Sequence, residues 1–305
     1  MMTTVDTVVV GAGVAGLSAA LFLARAGRST VVFDGGPSRI HAVEEVREYI
    51  GFDGASPTTV LRQARDEAVC FGAEIRSEMV DRIDPLDDGL FSVLAGGKPL
   101  LARTIVLATG LVDELPAIDG IREAWGTDLR VCPCFDGHEV RNGRFVVFGV
   151  DARLAHMASW VRMWSPDVTV VTRHAFTDVE AERMALLGIR TLADEVTGLI
   201  HEGDRLVAVM TASGDPIATD AAWVSLESRA ASDLARSLCE VDELGFAKTD
   251  AGGATSRPGV FAIGNANEPL AHLVHAAASG TTVGPIVTMY LLERMLSERR
   301  TVKAA

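Results

Sequence analysis

The chain has 305 residues, of which 48% are hydrophobic, and its 41 acidic against 28 basic side chains give a formal net charge of −13 at pH 7. This acidic balance argues against nucleic acids and anionic membranes as partners, and no apolar run approaches the roughly 18 residues of a membrane-spanning helix. The N-terminal residues lack the basic segment of a signal peptide, and the four cysteines indicate a reducing compartment. We therefore expect a cytoplasmic protein of one or two domains, without a metal site.

The first 34 residues contain a complete dinucleotide-binding pattern. Residues 5–10 predict a short buried parallel strand, residues 17–26 predict a helix, and residues 30–33 predict a second strand that ends at Asp34. The sequence G-A-G-V-A-G, residues 11–16, stands between the first strand and the helix. A strand, glycine turn, helix, strand and acid in this order are typical of a nucleotide-binding βαβ unit.

Each glycine of this turn has a physical role in binding a dinucleotide. Gly11 allows the tight turn, Gly13 lets the backbone approach a pyrophosphate, and Gly16 lets the helix pack closely on the strand. The helix N-terminus offers free N–H groups to the phosphates. Asp34 lies at the spacing of an acid that accepts both ribose hydroxyls, and we include Ala15 among the cofactor-binding residues. An ordinary glycine-rich turn is the alternative, and this unit alone does not distinguish FAD from NAD.

The four cysteines divide into one close pair and two single residues. Cys132 and Cys134 lie at a predicted strand-to-helix turn, and cysteines so close together are suited to thiol–disulfide exchange through their thiolates. Two buried small residues are the alternative reading of the pair. Cys70 and Cys239 fall in apolar helical patterns, and we predict that both lie in the core.

Three further segments carry a resemblance to a known family. Cys132 begins the sequence C-P-C-F-D-G, residues 255–265 read T-S-R-P-G-V-F-A-I-G-N, and residues 108–110 read A-T-G. With the N-terminal unit, these segments resemble the low-molecular-weight thioredoxin reductase superfamily over nearly the whole chain. Residues 108–116 and the G-N pair that ends the second segment are more similar to the FAD-dependent dithiol oxidases that close disulfides in natural products such as gliotoxin, holomycin and romidepsin.

The resemblance implies an α/β fold with two Rossmann-like domains, the second inserted in the first. The FAD domain would comprise residues 1–115 and 246–305, and residues 116–245 would form an NAD(P)H-binding-like domain. A mainly helical segment, residues 272–296, would aim its N-terminus at the flavin, where negative charge develops on reduction. The residues that the resemblance places at FAD are Thr109, Gly110, Gly264, Asn265, His272 and His275. Packing or capping is the alternative role of the two histidines.

The redox motif departs from the C-x-x-C pattern of the family. Cys132 keeps the position that exchanges with substrate, but Phe135 occupies the second cysteine position and Cys134 stands one residue earlier. Asp136 matches the acid that moves the proton of the exchanging thiol, and His138 is a nearby candidate base. The resemblance therefore predicts four catalytic residues: Cys132, Cys134, Asp136 and His138. Asn265 departs from the family as well, since it replaces an aspartate, but its amide can still bond a ribityl hydroxyl or a phosphate.

The second nucleotide turn is degenerate, which makes NADPH a doubtful cofactor. A predicted strand, residues 144–148, leads into G-V-D-A-R-L, residues 149–154, which keeps only the first of the three glycines. Asp151 stands where a pyrophosphate would approach the backbone, and like charge opposes that approach. Leu154 replaces the glycine of close helix packing, and Arg173 alone matches the arginines that hold the adenosine 2′-phosphate in the reductases.

These features favour an FAD-dependent oxidoreductase that oxidises a small dithiol or thiol metabolite and passes the electrons to O2. Two alternatives remain: an NADPH-dependent thioredoxin or disulfide reductase, and a flavin-binding protein without turnover or a flavin oxidase that forms no disulfide. The family also implies a homodimer, with the predicted helices at 56–71 and 154–164 as candidate contact surfaces.

Overall fold

The structure is a computed structural model that describes residues 3–304. The chain forms two compact units. The first unit comprises the N-terminal residues up to His41, Glu48–Val112 and the chain from Ser228 onward; the second comprises Ala42–Arg47 and Asp113–Glu227. The return to the first unit was predicted at residue 246, and the structure places it at Ser228.

Strands and helices alternate along much of the chain, as expected for an α/β fold. The strands are β1 (Thr4–Val10), β2 (Thr30–Phe33), β3 (Glu74–Arg76), β4 (Val80–Pro85), β5 (Phe91–Ala95), β6 (Lys98–Leu107), β7 (Leu111–Asp113), β8 (Leu129–Arg130), β9 (Phe145–Phe148), β10 (Val168–Val171), β11 (Arg190–Leu192), β12 (Val196–Glu202), β13 (Arg205–Thr211), β14 (Pro216–Ala218), β15 (Ala221–Val224), β16 (Ser228–Ala230) and β17 (Val260–Ala262). The helices are α1 (Val14–Arg25), α2 (Pro57–Cys70), α3 (Ile121–Ala124), α4 (Pro133–Asp136), α5 (Arg153–Val161), α6 (Asp178–Leu186), α7 (Leu234–Leu238) and α8 (Leu273–Ala304), with 3₁₀ turns at Arg39–Ala42 and Gly264–Ala266.

A seven-stranded sheet forms the centre of the first unit, in the order β3-β2-β1-β6-β5-β4, with β17 also paired to β6. The strands β3, β2, β1, β6 and β17 run parallel, and β4 and β5 extend the sheet in antiparallel fashion. Four residues of β1 and β6 are fully buried: Val8, Val9, Ile105 and Val106. Apolar runs of this kind are expected where parallel strands are covered on both faces.

Helices α1 and α8 pack against each other across small residues. A Cβ atom at Gly280 would overlap the carbonyl oxygen of Ala15, and one at Gly284 would overlap the ring of Phe22. Glycines at these two positions therefore allow the two helix backbones to approach closely. The helix α8 continues through Pro285, so the segment predicted as mainly helical is confirmed.

Two of the sequence predictions for the first unit need correction. Cys70, predicted in the core, is exposed, because it lies at the last residue of α2, on the side that faces water; the buried face of that helix is formed by Val60, Leu61 and Ala68. The domain boundary also moves, because Ala235 and Leu238 of α7 are buried in the core of the seven-stranded sheet. Cys239 is partly buried against the same core.

A five-stranded parallel sheet forms the centre of the second unit, in the order β11-β10-β9-β15-β8. Phe145 and Trp223 are buried on one face, with their rings edge to face at 4.8 Å between centroids, and Val146 and Leu129 are buried on the other. The strands β12, β13 and β14 form a separate antiparallel sheet. Among residues 3–304, no helix combines the length and the apolar character needed to cross a membrane.

Candidate cofactor cavity and redox disulfide

The glycine turn after β1 opens into a cavity of about 310 Å³ that lies wholly within the first unit. The turn supplies one wall, and the ends of β2, β6 and the segment before α8 supply the others. Seven of the predicted cofactor-binding residues line the cavity: Gly11, Gly13, Ala15, Asp34, Thr109, Gly110 and Asn265. Four do not line it: Gly16, Gly264, His272 and His275.

The three glycines of the turn differ in what surrounds them. Gly11 has φ +112°, and a Cβ atom there would overlap the carbonyl oxygen of Ala108. A Cβ atom at Gly16 would overlap the carbonyl oxygen of Gly11, so this glycine allows α1 to begin directly against the turn. At Gly13 the nearest atom to an added Cβ lies 3.9 Å away, because this position faces the open cavity. The backbone at Gly13 is therefore accessible to a ligand, as a pyrophosphate requires.

Asp34 lies at the end of β2 and is positioned by an arginine that the sequence analysis did not identify. Its Oδ1 accepts a hydrogen bond from the backbone N–H of Gly36 at 3.3 Å, and its Oδ2 accepts one from the Arg65 guanidinium. Arg65 belongs to α2 and is partly exposed. The arginine thus orients the carboxylate at the wall of the cavity, where it can accept hydrogen bonds from a ribose.

Asn265 also lines the cavity, and its amide group holds the loop that leads into α8. Its Nδ2 donates hydrogen bonds to the carbonyl oxygens of Glu268 at 2.9 Å, Ala271 at 3.1 Å and Pro269 at 3.2 Å. An aspartate carboxylate accepts hydrogen bonds and cannot donate them, so it would face three acceptors at this position. The asparagine is therefore suited to this loop, which the sequence pattern alone could not show.

His272 immediately precedes α8 and pairs with a residue that sequence reasoning missed. Its Nδ1 lies 3.2 Å from Oε2 of Glu48, and its ring lies edge to face with that of His275, 5.7 Å between centroids. Glu48 has a left-handed backbone, φ +58°, and its N–H donates to Oδ1 of Asp53 at 2.9 Å. Leu273 and Ala276, one residue and one turn further along, both line the cavity.

The cysteine pair lies in the second unit and is in its oxidised form. Cys132 and Cys134 form a disulfide, with their Cα atoms 5.4 Å apart, and both residues are partly exposed. Cys132 caps α4, and its Sγ accepts a hydrogen bond from the N–H of Cys134 at 3.4 Å. The altered spacing of the motif therefore still permits an intramolecular disulfide.

Asp136 ends α4, and Arg130 lies beside it. The Nε of Arg130 is 3.4 Å from Oδ2 of Asp136. Burial raises the pKa of the Asp136 carboxyl above its ordinary value, and the opposing effect of Arg130 only partly offsets it. A raised pKa keeps the carboxyl protonated up to a higher pH, which suits a group that carries a proton. His138 lies outside the motif helix, because α4 ends at Asp136 and His138 belongs to the turn that follows. It is exposed, and its Nε2 lies 3.1 Å from Nη1 of Arg141.

The turn after β9, predicted to be a degenerate nucleotide site, is filled by three side chains. Asp151 accepts hydrogen bonds from Nη2 of Arg153 at 2.6 Å and from the hydroxyl of Ser225 at 2.8 Å. Its Oδ1 also accepts from the backbone N–H of Arg153 at 2.8 Å, within the first turn of α5. Leu154 is fully buried. Arg173 is exposed and lies 3.7 Å from Glu195, so its charge is already paired.

Comparisons with known proteins agree with this geometry. Residues 5–280 match the family model described as pyridine nucleotide-disulphide oxidoreductase. The chain is 26% identical to a thioredoxin reductase of Mycolicibacterium smegmatis, covering 96% of this chain and 98% of that protein. It is 27% identical to a thioredoxin reductase of Listeria innocua, with 94% of both chains covered. The solved structure of HlmI has a TM-score of 0.94 and 33% identity, and the match covers 99% of this chain and 96% of that one.

The α/β fold with two Rossmann-type domains, predicted from the sequence, is confirmed by these structural matches. The matched family and the thioredoxin reductases bind FAD. The cavity fits that cofactor, because the backbone at Gly13 is open to it and the carboxylate of Asp34, held by Arg65, lines its wall. The chain belongs to the pyridine nucleotide-disulphide oxidoreductase family.

Proposed function

We propose that the protein is an FAD-dependent oxidoreductase that oxidises a small dithiol or thiol metabolite, with O2 as the final electron acceptor. The observation that carries this proposal is the turn after β9. There the negatively charged carboxylate of Asp151 accepts a hydrogen bond from the backbone N–H of Arg153, the first residue of α5. A reductase needs that turn for NADPH, whereas a dithiol oxidase receives its electrons from the substrate. The redox cysteines are nevertheless retained.

The similarity to HlmI supports the same assignment, since it matches the dithiol-oxidase branch that the sequence resembles. The similarity to thioredoxin reductases favours the second candidate, an NADPH-dependent disulfide reductase. This second candidate requires nucleotide binding despite Asp151 and the buried Leu154. We therefore rank it below the oxidase.

In the proposed reaction, the chain's own residues perform the thiol–disulfide exchange. A thiolate of the substrate attacks Cys132, the Cys132–Cys134 bond breaks, and Cys134 leaves as a thiolate. The second substrate thiolate then attacks the mixed disulfide and releases Cys132, which leaves the substrate as a disulfide and the cysteine pair reduced. Asp136 carries a proton to or from these sulfur atoms. The chemistry that FAD supplies when bound is acceptance of the two electrons and their transfer to O2, which becomes hydrogen peroxide.

The two candidates and a non-catalytic flavin protein are separated by anaerobic addition of reductants to the FAD-loaded protein. We expect the flavin absorbance near 450 nm to bleach with a small dithiol such as dithiothreitol and to stay unchanged with NADPH. Rapid stoichiometric bleaching by NADPH would overturn the oxidase in favour of the reductase. Failure of both reductants would support a protein that binds the flavin without turnover.

We also propose a homodimer in the cytoplasm. The dimer follows the family expectation, and α5 and the turn after it present Trp160 and Met163 at the surface, 45% and 77% exposed. The location is supported by Cys70 and Cys239, which are free thiols. Light scattering of the purified protein tests the dimer.

A further inference from the structure

The second unit contains a buried cation whose hydrogen-bonding capacity is largely unused. The side chain of Arg130 is only 11% exposed, and among the residues that the structure describes its Nε and Nη1 atoms have no hydrogen-bond partner. Burying a guanidinium is unfavourable unless anions or acceptors satisfy its N–H groups. The ring of Trp223 lies 6.0 Å from the guanidinium carbon, and this cation–π contact offsets part of the cost. The ring is not a conventional hydrogen-bond acceptor, so it does not satisfy the N–H groups.

Arg130 lies beside the helix that carries the redox disulfide. It ends β8, two residues before Cys132, and the chain bends at Val131 between them. Its Nε lies 3.4 Å from Oδ2 of Asp136, the last residue of α4. Cys132 caps this four-residue helix and Cys134 belongs to it, so the guanidinium is next to the helix that holds both sulfur atoms.

Asp136 contacts Arg130 without a close hydrogen bond, since the Nε and Oδ2 atoms are 3.4 Å apart. Burial raises the pKa of this carboxyl, which disfavours its ionised form. The charged groups that face Arg130 and Asp136 are Asp128, Glu139, Arg47 and Arg205. Of these, Asp128 is occupied by Arg205, to which it is bonded at 3.0 Å.

We propose that Arg130 is a positioning residue that supplies the counter-charge for the thiolate released when the Cys132–Cys134 disulfide opens. The inference rests on the proposed function, because it assigns Arg130 to the exchange step described above. In that step the electron pair of the S–S bond stays on the leaving Cys134 sulfur. The unused N–H groups of Arg130 stabilise the resulting negative charge.

The test is the thiolate pKa of the reduced protein, measured without substrate and without turnover. The FAD-loaded protein is reduced, and the rates at which Cys132 and Cys134 react with iodoacetamide are followed against pH by peptide mass spectrometry. We expect Arg130→Met to raise the midpoint of the more acidic thiol by about one pH unit, as removal of a nearby opposite charge does. Arg130→Lys should restore most of the shift, because it returns the charge.

Arg190→Met is the matched control, because Arg190 lies in the same unit and bonds an aspartate, Asp167, but is 69% exposed and does not face Arg130. This variant should leave the midpoint unchanged. If Arg130→Met retains FAD and its thiol midpoint equals that of the wild type, the proposal is overturned. If Arg130→Met does not fold, Arg130→Gln decides: the amide keeps hydrogen-bonding groups at this position without the charge, so the midpoint should rise, and an unchanged midpoint would refute the assignment.

Failure of this inference and failure of the proposed function give different results. A shifted thiol midpoint in Arg130→Met, together with no oxidation of any dithiol by the wild type, would uphold the role of Arg130 and reject the oxidase. Dithiol oxidation with an unshifted midpoint would uphold the oxidase and leave Arg130 as a structural residue.

Discussion

The hydroxyl of Ser225 donates a hydrogen bond to Asp151 at 2.8 Å, joining the end of β15 to the turn after β9. This contact holds the turn after β9 against the neighbouring strand of the sheet. The carboxylate accepts a hydrogen bond from the backbone N–H of Arg153, within the first turn of α5. In nucleotide-binding domains, N–H groups at this place bind an anionic ligand. Asp151 thus connects this turn to both β15 and α5.

We predict that NADPH will not bind measurably to the wild type, and that Asp151→Gly alone will not create a site. The glycine variant removes the carboxylate, but the buried Leu154 still prevents the close helix packing of a nucleotide-binding turn. Isothermal titration of both proteins with NADPH checks this. Micromolar binding by the wild type would contradict the structural role of Asp151.

Asp151 should also make stability depend on pH. Burial alone would raise its pKa, but the hydrogen bonds from Arg153 and Ser225 outweigh burial and lower it. A lowered folded-state pKa gives stability that is present above the unfolded value of about 3.9 and is lost as pH falls through the folded value. Asp151→Asn should therefore lower the melting temperature at pH 7, and this effect should shrink as the pH falls below about 3.9. Asp167→Asn, at the exposed pair with Arg190, is the control and should change stability less at pH 7.

Two arginines of α2 allow a matched test of the cofactor cavity. Arg65 bonds Asp34 at the cavity wall, whereas Arg62 pairs with Asp66 in water. Asp34→Ala should weaken FAD binding by about 1–3 kcal/mol, the range for a hydrogen bond to a charged group. Arg65→Ala should weaken it less, because the carboxylate remains but loses its orientation. Arg62→Ala should leave FAD affinity unchanged in equilibrium dialysis; equal losses in both arginine variants would point to a general effect on α2.

The parts of the site that lie close together in sequence could be predicted, and those that depend on distant contacts could not. The strand–turn–helix pattern around Gly11 and Gly13 is local, so its glycines and its acid were recognisable. Arg65 and Glu48 carry no motif, and only the folded chain brings them to Asp34 and His272. Cys70 was misplaced because an apolar stretch at a helix end does not show which side faces water.

Glu48 provides a case in which backbone strain and an ion pair oppose each other. A left-handed backbone costs a residue other than glycine about 1–2 kcal/mol. Replacement by glycine removes this strain, but the larger conformational entropy of glycine in the unfolded state offsets about 0.5–1 kcal/mol of the gain. The partly exposed pair with His272 contributes about 0–1 kcal/mol. Glu48→Gly should therefore change the free energy of unfolding by less than about 1 kcal/mol.

We also predict that the contact between Glu48 and His272 serves the reaction. Glu48→Gly should lower dithiol turnover about tenfold, and Glu48→Gln should retain much of it, since the amide oxygen still accepts from Nδ1. Asn142→Gly is the control, because Asn142 is the other described residue besides glycine with a left-handed backbone, φ 65°. Full turnover in Glu48→Gly would show that the pair has no part in the reaction.

The cysteine pair gives the most direct test of the proposed chemistry. Cys132→Ser should abolish dithiol oxidation, because a serine hydroxyl does not ionise near neutral pH and cannot form a mixed disulfide. Cys134→Ser should also impair it, since the oxidised protein carries the Cys132–Cys134 disulfide as the group that accepts the substrate's electrons. Cys70→Ser, at an exposed free thiol, is the control and should retain full activity.

Phe135→Cys restores the C-x-x-C spacing of the family and extends this series. With a third thiol available, we expect the variant to gain dithiol oxidase activity or disulfide reductase activity over the wild type, because the added sulfur stands at the position that the family uses next to its cofactor. Thiol titration of the native and denatured proteins, together with peroxide formed from a small dithiol under air, measures each variant. If both serine variants retain full activity, the disulfide is structural and the substrate must be oxidised without it, which would move the protein to the flavin oxidases that form no disulfide.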